Sequence, residues 1–148
     1  MIIHESLIAL NLQSRNKVEI IETLARKARK LGRITHVKGF MQAVFAREEV
    51  FSTAIGYGIA IPHGRSSFVE APFLAFARSQ EEFLWDSRLE HGVRLIILIG
   101  VPEEQDSDLH LKIVADIRRE LMKDSYRERL LQASSVAEIV AIFGEMGL

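Results

Sequence analysis

The segment Ser52-Thr53-Ala54-Ile55-Gly56-Tyr57-Gly58-Ile59-Ala60-Ile61-Pro62-His63-Gly64-Arg65 carries the residues most able to do chemistry. Gly56 and Gly58 precede an apolar triplet that reads as a strand, and His63 follows at once between Pro62 and Gly64. Proline fixes φ at about −65°, and glycine reaches backbone conformations closed to other residues. Such framing predicts one imidazole held at a strand end, with backbone N–H groups nearby in a concavity suited to an anion. A neutral imidazole, with a pKa of about 6.5, offers a lone pair at neutral pH. These features suit acceptance of a phosphoryl group, whose loose transition state needs positioning and charge stabilisation more than covalent help. Spacing alone leaves a second reading equally open: a turn histidine packed against a sheet.

Other groups could serve such a site. His110 falls in the first turn of a helix capped by Ser107, where amide dipoles favour negative charge. It shares a helical face with Val114, Ile117 and Leu121, so a core-edge histidine bonded to backbone is the alternative. Arg47 lies near the end of a helix, and its guanidinium fork matches a phosphoryl dianion or simply faces solvent. Thr53 and Ser52 could donate hydroxyls to phosphoryl oxygens or cap a turn. Arg65 reads as a solvated loop charge, and Arg118-Arg119 as a solvated helix face. His4, His36 and His91 read as surface residues, and Trp85 as an anchor under the loop from Phe83 to Leu89.

The elements that must position these groups follow from periodicity. Leu7 to Leu12 reads as a first strand, and Asn16 with Glu19 as a helix N-cap with its reciprocal acid. Ile21, Leu24, Ala25, Ala28 and Leu31 recur at helical spacing, with Gly32 as a stop. A second helix fits His36 to about Glu49. Ile59 to Ile61, Phe73 to Ala77 and Val93 to Gly100 read as strands, the last apolar almost throughout, as a strand covered on both faces would be. Helices follow from Ser107 to about Met122, Ser125 to Gln132 and Val136 to Met146. Helices on either side of a sheet-forming middle predict an α/β fold of three layers, α/β/α, in one domain over residues 1–148.

Composition narrows the function. With 19 basic and 20 acidic residues the formal net charge is −1, so no basic excess is present to neutralise nucleic-acid phosphates. The longest apolar run, Leu95 to Val101, falls far short of the roughly 20 residues of a membrane-spanning helix. The first residues lack the pattern of a signal peptide. There is no cysteine, which removes disulfides, thiolate zinc sites and cysteine nucleophiles. These features predict a cytoplasmic protein without membrane insertion. A metal-dependent hydrolase built from His63, His110 and Asp106 or Asp108 is the remote rival, but no His-Glu-x-x-His spacing supports it. No Walker-type glycine loop is present to bind ATP.

Arg47-Glu48, Ser52-Thr53, Ile55-Gly56 and Gly58-Ile59-Ala60-Ile61-Pro62-His63-Gly64 together resemble the phosphorylation-site signature of the enzyme IIA family. The relevant members are the fructose- and mannitol-type domains of the bacterial phosphoenolpyruvate-dependent sugar phosphotransferase system, with their nitrogen-regulatory relatives. Val93 to Pro102 followed by His110-Leu111-Lys112-Ile113 resembles the family's apolar strand and His-Leu segment. The resemblance implies a mixed sheet between helical layers and a phosphotransferase component with a phosphohistidine intermediate. It implies that His63 accepts the phosphoryl group through Nε2, that His110 and Arg47 lie beside it, and that Thr53, Ser52 and Gly64 support it. It implies no cofactor or metal, and a donor that is phosphorylated HPr or a homologue. The acceptor would be a cysteine of enzyme IIB, necessarily on another chain, or the protein would act on regulatory targets in a nitrogen-type branch. Two positions depart from the pattern: Ala54, where glycine is common, and Tyr57, where a small polar residue is common.

Overall fold

The computed structural model describes residues 2–104 and 107–148, without the side chains of Ser107, Leu109 and His110. In chain order the elements are β1 (Ile3–Leu12), α1 (Lys17–Lys30), α2 (Val37–Val50), β2 (Ala54–Gly56), β3 (Ile59–Ala60), β4 (His63–Ser66), β5 (Phe73–Phe83), β6 (Val93–Pro102), α3 (Ser107–Leu121), α4 (Asp124–Gln132) and α5 (Val136–Gly144). The expected caps form. Asn16 Oδ1 accepts from Glu19 N at 3.1 Å, and Gly32, at φ 80°, ends α1. His36, read as a surface residue, is exposed and also caps α2 through Nδ1, which accepts from Gly39 N at 2.8 Å.

The sheet runs β1-β5-β6-β3-β2, with β4 also on β6. It is mixed: β5 and β6 are antiparallel, whereas β1 runs parallel to β5, and β3 and β4 run parallel to β6. Alternation along β6 divides the core. Ile96 and Leu98 pack with Phe40, Val44, Leu24 and Phe73 under α1 and α2. Leu95, Ile97 and Ile99 pack with Ile117, Leu130, Ile139 and Phe143 under α3, α4 and α5. The three layers are therefore α1 and α2, the sheet, and α3 to α5.

Several strands extend beyond or escape the sequence pattern. β1 begins at Ile3 rather than Leu7, because Ile3 pairs with Leu74 across an irregularity that leaves His4, Glu5 and Ser6 exposed. β5 continues past Ala77 to Phe83 through a polar stretch where the register with β6 shifts, pairing resuming at Phe83 opposite Val93. β2 and β4 are too short for periodicity to show. β3 and β4 share one register along β6: Ile59 lies opposite Leu95, Ala60 opposite Ile96, and His63 opposite Ile99. Between them Pro62 has no N–H to give, although its carbonyl still accepts from Ile99 N at 3.0 Å. Ile61 turns its own N–H to Thr53 O, also at 3.0 Å. The site histidine thus opens β4, braced by the central strand.

Candidate active site

His63 follows Ile59 and Ile61 on the face of the sheet that α3 covers, and only 8% of it is exposed. Its Nδ1 lies 2.8 Å from Ile61 O. A carbonyl oxygen can only accept, so Nδ1 carries the proton and the lone pair of the neutral ring sits on Nε2. The histidine lines a cavity of ≈ 280 Å³. One wall comes from Arg47 and the segment 51–55 that follows α2; the other comes from Val114 and Arg118 of α3.

The segment after α2 is tied down from within the fold. Arg47 Nη1 donates to Phe51 O at 2.9 Å across the end of the helix, which holds the guanidinium at the rim. Glu48, the next residue, is buried and accepts from Thr53 N at 3.2 Å and from the Thr53 hydroxyl. Its other oxygen lies 3.3 Å from the indole Nε1 of Trp85, which donates to it. Trp85 is therefore more than an anchor for its own loop. Ser52 Oγ accepts from Ala54 N at 3.2 Å, an arrangement that leaves the hydroxyl proton able to donate elsewhere.

Of the residues singled out from sequence, His63, Arg47, Ser52 and Thr53 are brought to one cavity. The Thr53 hydroxyl, expected to be able to reach a phosphoryl oxygen, directs its proton to Glu48. Gly64 is buried, but it does not use the left-handed conformations expected of it. Its requirement is space: a Cβ there would lie 2.9 Å from Val44 Cγ2 and 3.2 Å from Val44 N, so the glycine admits α2 against β4. The backbone of His110 lies in the first turn of α3, while its side chain, like all of Asp106, lies outside the described residues. Among the described residues no group of three histidine or acidic side chains is placed to hold a metal ion.

Two contributors escaped the sequence reading. Glu48 sits inside the quoted signature, but its burial depends on Trp85, which is distant in sequence. Arg118 was paired with Arg119 as a solvated face, yet it lines the cavity with Val114. The spacing His110, Val114, Arg118 gives i, i+4 and i+8 on one helical face, and that was the available signal. Tyr57, one of the two departures, stays clear of the cavity. With φ 58° between Gly56 at 90° and Gly58 at 78°, it forms a left-handed hairpin tip, where a side chain costs about 1–2 kcal/mol. Its ring lies 4.2 Å from the guanidinium carbon of Arg127 on α4, a cation–π contact on the far side of the hairpin.

Comparison with known proteins gives a consistent picture. A sequence model of the family described as "Phosphoenolpyruvate-dependent sugar phosphotransferase system, EIIA 2" matches residues 1–146. The PTS system fructose-specific EIIA component of Haloferax volcanii is 34% identical over 140 residues, spanning 95% of this chain and 90% of the relative. The PTS system fructose-like EIIA component of Escherichia coli K12 is 32% identical over 130 residues, spanning 88% of this chain and 87% of the relative. The crystal structure of nitrogen regulatory protein IIA-Ntr from Neisseria meningitidis aligns at a TM-score of 0.86 and 31% identity, covering 95% of each chain.

Proposed function

The chain belongs to the EIIA 2 family of the phosphoenolpyruvate-dependent sugar phosphotransferase system, and from that membership we propose that His63 is the residue on which it carries the phosphoryl group. The protein is a phosphocarrier of that system. The observation that carries the assignment is the bond from His63 Nδ1 to Ile61 O at 2.8 Å, which leaves the Nε2 lone pair as the nucleophile inside a cavity rimmed by Arg47.

In the transfer, the Nε2 lone pair forms the new bond to phosphorus while the bond to the donor breaks and its electrons return to the donor. Nδ1 keeps its proton throughout and shares the developing positive charge with Ile61 O. Arg47, already oriented by Phe51 O, meets the equatorial oxygens without reorganising. Ser52 supplies a hydroxyl donor, and His110 stands beside the acceptor as the family resemblance implies. The donor is phosphorylated HPr or a homologue. The next acceptor is a cysteine of an enzyme IIB, which lies outside these 148 residues, since they include no cysteine. The EIIA domain acts in the cytoplasm; among the described residues no helix is long and apolar enough to cross a membrane.

A second reading is favoured by the likeness to IIA-Ntr: signalling through the phosphorylated state rather than passage to a sugar transporter. Both readings place the phosphoryl group on His63. Incubation with phosphoenolpyruvate, enzyme I and HPr should add the mass of one phosphoryl group, acid-labile and alkali-stable. His63→Ala should lose it while keeping the native circular dichroism spectrum. Equal labelling of that variant would overturn the assignment.

A further inference from the structure

We propose that Arg118 is a second guanidinium that contacts the phosphoryl group on His63, from the wall opposite Arg47. The proposal rests on the reading of His63 as the acceptor. Arg118 lies on α3, one helical step beyond Val114, and both line the cavity with His63. Val114 lines the same cavity, and an arginine stem can lie along such apolar surface while its charged head stays in water.

The neighbouring charges are already engaged, and they leave Arg118 apart. Of the two acidic residues nearest in sequence, Asp116 accepts from Arg119 at 2.8 Å and from Lys112 at 2.9 Å, and Glu120 accepts from Lys123 at 3.0 Å. The two bonds to Asp116 hold its carboxyl below the usual carboxylate range, the Lys112 bond being the larger cause and the Arg119 bond the next. Among the described residues the Arg118 side chain makes neither a hydrogen bond nor an ion pair, although the backbone carbonyl accepts from Met122 N at the end of α3. Arg119, one residue along, faces solvent and serves as a built-in control.

Charge balance gives the second arginine its role. A phosphate monoester carries about −1.5 to −2 charges at pH 7, and a phosphoryl group on nitrogen is also an anion with three oxygens. Arg47 brings one positive charge and already gives one N–H to Phe51 O. A second guanidinium supplies the remaining charge, and neither bends the approach of a partner nor forms a covalent bond. Before transfer, Arg47 and Arg118 face one cavity as two like charges; afterwards an anion lies between them. Arg118 therefore favours the phosphorylated state itself, beyond any effect on the rate of reaching it.

The test compares Arg118→Gln, Arg118→Lys and Arg119→Gln, using phosphorylated HPr as the donor in quenched-flow transfer. ³¹P NMR of each phosphorylated protein provides the second readout. A preorganised donor in a closed site is worth about 10²–10³ in rate, and an exposed arginine should fall below that range. Arg118→Gln should slow transfer about tenfold, shift the equilibrium back toward phosphorylated HPr and move the ³¹P resonance. Arg118→Lys should recover part of each effect, and Arg119→Gln should match the unmutated protein. Identical rates and resonances for Arg118→Gln and Arg119→Gln would overturn the proposal. His63→Ala, run alongside, separates the two claims: if it still labels, the acceptor assignment fails whatever Arg118 does.

Discussion

Glu48 and Arg78 are both buried side chains of charged type, one on each face of the sheet, and among the described residues neither is held by a salt bridge. Glu48, at the end of α2, receives N–H and O–H donors from Thr53 and Trp85. Arg78, on β5, gives Nη1 to the carbonyls of Leu130, Leu131 and Ala133 at 2.9, 3.1 and 2.7 Å. Those carbonyls end α4, where the helix lacks donors of its own and its dipole favours a cation. Burial pushes the Arg78 guanidinium down from its ordinary value, with Arg94 adding to the shift and Glu138 opposing it. The same device, a buried charge bonded to neutral groups, thus ties a helix end to the sheet on one face. On the other it ties the wall of the cavity that His63 lines. Loss of the first should show in stability, and loss of the second in transfer.

The largest expected effect is that of Arg78→Met. Each buried carbonyl left without its donor costs about 1–3 kcal/mol, moderated where water enters. A loss of about 3 kcal/mol in urea unfolding is expected, with the folded fraction still accepting phosphoryl groups at the unmutated rate. A stable but slow Arg78→Met protein would erase the distinction between the two faces.

Glu48→Gln should behave in the opposite sense. The amide keeps the shape and one acceptor but turns an NH₂ toward either Thr53 or Trp85, both of which are donors. A stability loss of about 1–2 kcal/mol is expected, since the side chain keeps most of its packing. Transfer from phosphorylated HPr should slow by a larger factor than that loss explains, because Thr53, Ser52 and Phe51 form the wall that orients Arg47. Trp85 is the only tryptophan in the chain, so its fluorescence reports on this bond directly. Unchanged emission together with an unchanged rate would mean that the Glu48 bonds do not reach the site.

The contrast between the two charges also marks what the sequence could reveal. The helices, the Asn16 cap and the wholly apolar β6 follow from local pattern, because each is written within a dozen consecutive residues. Pro62-His63-Gly64 announced a held histidine, although Gly64 matters for its closeness to Val44 rather than for its backbone freedom. β2 and β4 are set by β3 and β6, not by their own periodicity. Thr53 is near Glu48 in sequence, but Trp85 lies 37 residues from it and the partners of Arg78 lie more than 50 residues away, and no spacing rule connects those. The family was legible through its signature; the bonds that brace the cavity around His63 are a property of the fold.

The smallest expected effect lies where the Glu48 region meets solvent. Asp86 follows Trp85, and its carboxyl accepts from Arg88 Nη2 at 2.7 Å, Arg88 Nε at 3.0 Å and Arg88 N at 2.9 Å. The side-chain bonds from Arg88 hold it well below the usual carboxylate range, and the backbone bond adds to them. A carboxyl whose pKa is lower in the folded state stabilises the protein fully above its unfolded pKa of about 3.9, and that contribution fades as pH falls toward the folded value. Arg88 is mostly exposed, so water screens the pair and the effect should be modest. The stability margin of the unmutated protein over Asp86→Asn should therefore be constant from about pH 7 to pH 5 and narrow below about pH 4. Urea midpoints of both proteins at several pH values measure it. Trp85 emission of the native protein, followed in parallel, should stay constant over the same range, because the folded Asp86 carboxyl remains ionised there. A margin that stays flat down to pH 3 would mean that Asp86 and Arg88 pair too weakly to brace Trp85, leaving Glu48 and Thr53 to hold that wall of the cavity.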